Sequence, residues 1–317
     1  MKHIHSCLII LLLTAVATDG RTVEMTLQPA KAPKRVQKNL LLPKAEEQTD
    51  ADAMPLYERA VQLLPEDSQM DQMNQWLKMP PSKLPHEQVQ ATLEQFEPIL
   101  QLLEQASKCS HCRWPYWDSD TISQDLRRYR GLVYFLALQM RLEVSRGSFD
   151  EAIGTLQTGF AMAKHLAEGH SFLHGLVGVG ISAIVCRQVE QFVQSPNAPN
   201  LYWALRALPR PFIDLSDWAE FEEPHTGKTA RLLMNRLDRH VAALQCVEAL
   251  RLYAAVHDGK FPKELGTITQ VLVPSDPVMQ QPFVYRSTGS YAVLEAPAPE
   301  GATGKWDAIR YELSLEE

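Results

Sequence analysis

Apolar residues at helical spacing dominate the middle of the chain. Residues 130–146 carry Leu132, Phe135, Leu136, Leu138, Met140, Leu142 and Val144. After the turn Gly147-Ser148, residues 149–168 repeat the pattern with Phe149, Ala152, Ile153, Leu156, Phe160 and Ala163. A third run, 171–194, follows Gly169 and is almost wholly apolar from 172 to 185. The spacing predicts three consecutive helices joined by short polar turns. None could stand alone, because ordering a helix backbone costs more than one apolar face returns. Each must therefore be covered by its neighbours.

The flanks are patterned more weakly. Residues 51–64 predict a short helix, with Pro55 in its first turn, Leu56, Ala60, Val61 and Leu64 on one face, and Pro65 as its stop. Residues 70–79 are ambiguous. A longer helix is expected over 86–108, where Val89, Leu93, Phe96, Leu100 and Leu103 recur every three to four positions. Residues 109–120 read as an aromatic-rich loop. Residues 197–208 read as helical up to Pro209, and Asp217, Glu220, Glu222 and Glu223 form an acidic turn. A long amphipathic helix is expected over 226–257, striped by Leu233, Leu237, Val241, Leu244 and Val247 and closed by Asp258-Gly259. Short β-type runs at 283–286 and 291–295 flank Ser287-Thr288-Gly289-Ser290, which signals a hairpin, and 308–313 alternates like a third strand.

With 45% apolar and 22% charged residues over 317 positions, the bulk of the chain should fold. The first 17 residues have another character: Lys2 precedes an apolar run over 8–16 and the cleavage pattern Ala15-Val16-Ala17, so a signal peptide is expected. That run is well short of the ~20 residues a bilayer span needs. Residues 172–185 are also too short and contain His174. Export with cleavage would place the protein in the periplasm or cell envelope, with no stable membrane insertion. Residues 18–49 mix Pro, Lys, Gln and Thr without sustained periodicity and read as a flexible linker. The formal net charge of −7 argues against a nucleic-acid partner, which needs a basic face. The one basic tract, Lys31, Lys34, Arg35, Lys38 and Lys44, falls in the linker and reads as part of a tether.

Three resemblances bear on architecture. Gly147-Ser148-Phe149-Asp150-Glu151-Ala152, followed by Leu156 and Gly159, resembles the middle of a tetratricopeptide repeat, in which small residues let two helices nest. The resemblance covers one hairpin and implies Gly147, Phe149, Ala152, Leu156 and Gly159 as its packing residues. Over roughly residues 50–300 the chain resembles a group of uncharacterised exported bacterial proteins. The matching segments are Ala53-Met54-Pro55-Leu56-Tyr57, Cys112-Arg113-Trp114-Pro115, His165-Leu166-Ala167-Glu168-Gly169 and Gly175-Leu176-Val177-Gly178. That resemblance implies architecture only. The C-terminal part resembles the major pseudopilin of type II secretion, through Leu250-Arg251-Leu252-Tyr253, Gly259-Lys260-Phe261-Pro262, Asp276-Pro277, Gln281-Pro282-Phe283 and Tyr285-Arg286. It implies a local body of helix, irregular loop and antiparallel strands.

Cys109-Ser110-His111-Cys112 is the sharpest chemical motif. A redox C-x-x-C opens a helix, whose dipole stabilises the thiolate. This one closes the helix expected over 86–108, and no βαβ pattern surrounds it. A structural disulfide or a pair of structural thiols fits better, and zinc would need two further ligands. Cys186 and Cys246 sit on apolar helical runs, as small buried thiols do. His165, Glu168, His170 and His174 cluster, but Ser171 follows His170 and Gly169 follows Glu168, so neither zinc-protease pattern is met. Gly227-Lys228-Thr229 lacks the leading glycine of a phosphate-binding loop, because Glu222 stands there. Gly175, Gly178 and Gly180 suit close helix packing better than dinucleotide binding. Trp114, Pro115, Tyr116 and Trp117 could plug the core locally or stack on a carbohydrate.

The sequence thus predicts a mainly α protein. A signal peptide (1–17) and a flexible linker (18–49) lead to a helical-hairpin, tetratricopeptide-like array (50–225). A small α+β unit follows, a long helix plus short antiparallel strands (226–317). No catalytic, cofactor-binding or metal site is expected. The expected function is a non-catalytic exported scaffold or protein-interaction module with a protein partner in the envelope. A thiol-disulfide oxidoreductase using Cys109 and Cys112, or a secretion-apparatus component, are the alternatives.

Overall fold

The computed structural model describes residues 22–32, 39–115, 119–220, 224–299, 302 and 307–316. The signal-peptide expectation and most of the basic tract lie outside these residues. In chain order the elements begin with β1 (Val23–Leu27), β2 (Thr49–Asp52), α1 (Met54–Gln62), α2 (Asp67–Lys78), α3 (His86–Gln95) and α4 (Glu97–Ser107). Then come β3 (Cys109–His111), α5 (Ser119–Ser145), α6 (Phe149–Ala167), α7 (Phe172–Phe192), α8 (Tyr202–Arg206), α9 (Ser216–Ala219) and α10 (Pro224–Ala254). The strands β4 (Val284–Ser287), β5 (Tyr291–Ala296) and β6 (Ile309–Leu315) close the chain. The protein is mainly helical with a small sheet. Two compact units divide the described residues: those within Leu41–Gln188 together with Ile213–Leu215, and those up to Leu40 together with Val189–Phe212 and those from Ser216 on.

In the first unit α5 and α6 form an antiparallel hairpin. Its turn depends on Gly147, whose φ of +73° is left-handed. There the Gly147 N–H donates to the Val144 carbonyl (3.0 Å) and the Ser148 N–H to the Glu143 carbonyl (2.9 Å), satisfying carbonyls that the helix end would otherwise leave open. Phe135, Leu138, Leu156, Phe160 and Met162 fill the interior with almost no exposure. α6 and α7 approach closely at small residues: a Cβ on Gly178 would lie 2.7 Å from the Ala163 carbonyl, and one on Gly159 2.7 Å from a Val185 methyl. α2, the ambiguous stretch, is helical because buried Arg141 caps it, donating to the carbonyls of Leu77 (2.9 Å) and Met79 (3.0 Å).

Three expectations are corrected here. The helix expected over 86–108 is two helices, broken at Phe96 (φ −109°, ψ 23°), because Pro98 sits in the first turn of α4 and cannot donate. Part of the loop expected over 109–120 is strand: β3 pairs in parallel with β2. Residues 172–185, expected to be too short for a membrane span, lie within a longer helix, which matches the one expected over 171–194. α7 has 21 residues and is apolar enough, by length and composition, to cross a membrane, although most of its apolar stretch is buried inside the protein.

The second unit is built on α10 and a sheet in the order β1-β6-β5-β4. β4 and β5, and β5 and β6, are antiparallel, as the alternation at 283–295 and 308–313 predicts. β1 pairs in parallel with β6, so the stretch expected to be linker contributes a strand, with Met25 and Leu27 buried. What holds that strand's end is a fully buried ion pair. Arg251 grips Glu248 through two bonds of 2.9 and 3.0 Å. The same guanidinium donates to the carbonyls of Gln28 and Ala198, each at 2.8 Å. Glu248 also accepts from Asn200 (2.6 Å) and from the Leu201 N–H (2.8 Å). A second arginine, Arg239, is buried against Asp276 at 2.8 Å, and Arg236 binds Asp307 at 2.7 Å.

Removing one partner of a buried pair strands the other charge, which costs about 3–5 kcal/mol. Arg251→Ala is therefore expected to lower unfolding stability by that amount in urea titrations. A loss below about 1 kcal/mol, the scale of an exposed pair, would contradict this role.

Candidate functional site

β3 and the end of α6 build a buried polar cluster around His165. Its Nε2 lies 3.2 Å from the Cys109 carbonyl, which can only accept, so that nitrogen carries the proton. Its Nδ1 then accepts from the Tyr57 hydroxyl at 2.9 Å. The Trp114 indole donates to the His165 carbonyl at 2.7 Å, and Glu168 accepts from the Cys112 N–H at 2.8 Å. Burial lowers the His165 pKa to about 4, so the ring is neutral near pH 7.

Cys109 and Cys112 carry free, buried thiols. Burial raises both pKa values, and for Cys112 the Glu168 and Asp52 carboxylates raise it further. The thiolate, the form that attacks a disulfide, is therefore disfavoured at neutral pH. Both cysteines also follow the C-terminal end of α4, where the helix dipole opposes a negative charge. Trp114 is 3% exposed and packs edge-on against Tyr129, so its face is closed to a sugar. Tyr116 and Trp117 lie outside the described residues.

Of the remaining sequence candidates, His174 packs its ring 5.0 Å from that of Trp114, at the edge of this cluster. His174 Nδ1 meets the Ser171 hydroxyl at 2.8 Å, and His165 makes the separate contacts above. Among the described residues no three His, Cys, Asp or Glu side chains converge as metal ligands. Gly227, Lys228 and Thr229 lie within the first turns of α10 rather than in a loop before it. Of the repeat-packing residues, Gly147 makes the turn, Ala152, Leu156 and Gly159 are buried, and Phe149 is half-buried.

The feature that sequence reasoning missed is a groove of about 560 Å³ in the first unit. One wall carries Gln90, Glu94, Glu97, Gln101 and Glu104 of α3 and α4; the other carries Gln139 and Glu143 of α5, Arg146 just beyond its end, and the start of α6. Leu93, Leu136 and Leu142 give it a buried apolar floor. Glu94, Glu97 and Glu151 are exposed on its rim. Both cations of the lining are engaged by the walls themselves. Arg146 donates to Gln90 across the groove at 2.6 Å, and Lys108 pairs with Glu104 at 2.7 Å.

Glu143 is the unusual member. It is 8% exposed and accepts from Gln139 (2.7 Å) and Thr155 (2.8 Å), both neutral donors. Among the described residues no lysine or arginine lies within ion-pair distance of it. Burial raises its pKa, against the pull of those two hydrogen bonds and of the nearby Arg146 charge. Gly154 sits beside it inside α6, exposed, with nothing within 4 Å of the position a Cβ would take. A glycine there costs about 0.5–1 kcal/mol relative to alanine and serves no packing purpose within the chain.

No family model matches the chain, and no match is found among curated proteins or solved structures.

Because the His165 pKa is lowered on folding, the unfolded chain binds its proton more readily. Its contribution is complete above about pH 6.5 and falls as pH drops toward 4. Between pH 7 and pH 4 the wild-type protein should lose about 3 kcal/mol more stability than His165→Gln. Parallel pH dependences in urea unfolding would show that the ring is not held neutral.

Proposed function

We propose that the protein is a non-catalytic exported scaffold or interaction module of the bacterial cell envelope, in which tetratricopeptide-like helical hairpins present the α3–α6 groove to a segment of a partner protein. The observation that carries this reading is the groove itself. Its walls are helical, its floor is apolar, and its rim is charged, as in sites where a protein segment is laid between helices. The thiol alternative is disfavoured by the burial and raised pKa values of Cys109 and Cys112. The secretion-apparatus alternative has support only in the order of long helix, loop and antiparallel strands in the second unit.

Site-specific photocross-linking in a periplasmic fraction tests this. Benzoylphenylalanine at the groove residue Gln101 should give a discrete adduct, whereas the same probe at exposed Lys263 of the second unit should not. Filling the groove with Gly154→Trp should abolish the adduct. Equal adducts at both positions, or no protein in that fraction, would contradict the proposal.

A further inference from the structure

The C-x-x-C is held in a backbone conformation that a disulfide cannot bridge. Cys109 opens β3, which pairs with β2 through Thr49↔Cys109 and Asp52↔His111, and Cys112 follows directly. At ~3.3 Å per extended residue, the Cα atoms of Cys109 and Cys112 stand about 10 Å apart. Side chains at i and i+3 of an extended chain also point to opposite faces. A disulfide needs Cα atoms within about 7 Å and Cβ atoms that face each other. For residues i and i+3 that is the geometry of a β-turn, which a paired strand excludes. The free state of these two thiols therefore follows from β3 as well as from their burial.

Both ends of the tetrapeptide are also gripped by their surroundings. His165 Nε2 donates to the Cys109 carbonyl at 3.2 Å, and the Cys112 N–H donates to Glu168 at 2.8 Å. Between them the His111 carbonyl accepts from the Ala53 N–H, at the start of α1, at 2.9 Å. Just beyond, the Arg113 N–H donates to the Asp52 carboxylate at 2.9 Å. Closing a disulfide would draw the two Cα atoms together by about 3 Å or more, which exceeds the working range of a hydrogen bond. The set cannot survive that movement intact. Closed β3 and a Cys109–Cys112 disulfide are thus alternative states, and each disfavours the other by the same factor.

We propose that β3 is a redox-sensitive latch, which closes on β2 and the end of α6 while Cys109 and Cys112 are reduced and is held open once they are joined. The inference is independent of what the groove holds. The oxidant is a small disulfide of the glutathione disulfide class. One cysteine thiolate attacks a sulfur of that disulfide and expels the first glutathione thiolate. The second cysteine thiolate then attacks the mixed disulfide and expels the other. Two thiols become one disulfide, and their two protons and two electrons end on two molecules of reduced glutathione. Because both thiols are buried, the exchange runs from the opened strand.

Equilibration of the full chain in reduced and oxidised glutathione, followed by alkylation and mass mapping of the peptide holding residues 109–112, tests this. At a glutathione ratio that oxidises half of the pair in urea, the native protein should show a disulfide-to-dithiol ratio about tenfold lower or less. His165→Ala, which removes the grip on the Cys109 carbonyl, should raise the native ratio toward the urea value. Equal ratios in native and unfolded chains would overturn the latch, as would a pair that no glutathione ratio oxidises in urea. Hydrogen exchange on the wild-type chain, oxidised in urea and refolded, checks the structural half without any variant. The amides of Ala53 and Cys112 should lose protection about tenfold or more relative to the reduced protein, while Leu156 of α6 keeps its own. Unchanged protection at Ala53 and Cys112, or an equal loss at Leu156, would contradict a local latch.

Discussion

The first unit depends on how α6 is covered. Ala152, Ile153, Leu156, Phe160, Ala161, Met162, Ala163 and Leu166 are buried around most of that helix, so a single neighbour cannot shelter it. α5 folds back along it through the Gly147 turn, α4 packs beside it, and α7 closes in at Gly159 and Gly178. What stays uncovered is the strip at its start, where Glu151, Gly154 and Thr155 face outward. The groove is the place where a helix that needs neighbours on nearly every side has none.

Two buried glutamates show how differently the units treat a charge. Glu248, in the second unit, accepts at both oxygens from Arg251 Nη1 and also from an asparagine and a backbone N–H, and the network also holds the segment after β1 through Gln28. It is a structural joint, closed on itself. Glu143 receives two neutral donors and borders open space. Replacing a burdensome buried charge by a neutral isostere is usually stabilising, so a protein that keeps one has a use for it or tolerates it at some expense in stability. The neighbouring glycine carries the same implication from the backbone side.

Much of the helical skeleton was legible in the sequence because its cause is local. The 3.6-residue apolar period over 130–194 and the Gly147 turn need no knowledge of distant residues. β1 was hidden because Val23, Met25 and Leu27 alternate for only five residues, and their partner is β6 at the other end of the chain. The break at Phe96 had a signal in Pro98, which the strong period of Leu93, Leu100 and Leu103 masked. The C-x-x-C was placed correctly after a helix end, and the burial that disfavours its thiolates follows from its position beside His165 and Glu168. The groove was illegible for a deeper reason. Nothing local marks Glu94 and Glu97, which line one space with Glu143 and Gly154 only once the helices have packed.

The most direct test of the central claim is paramagnetic relaxation by freely diffusing nitroxides. A cationic and a neutral probe of the same size should be compared at the amides of Gly154 and Thr155. The expected result is stronger broadening by the cationic probe in the wild-type protein, much reduced in Glu143→Gln. Equal broadening by the two probes, or protection of both amides from either one, would contradict an open, negatively charged groove.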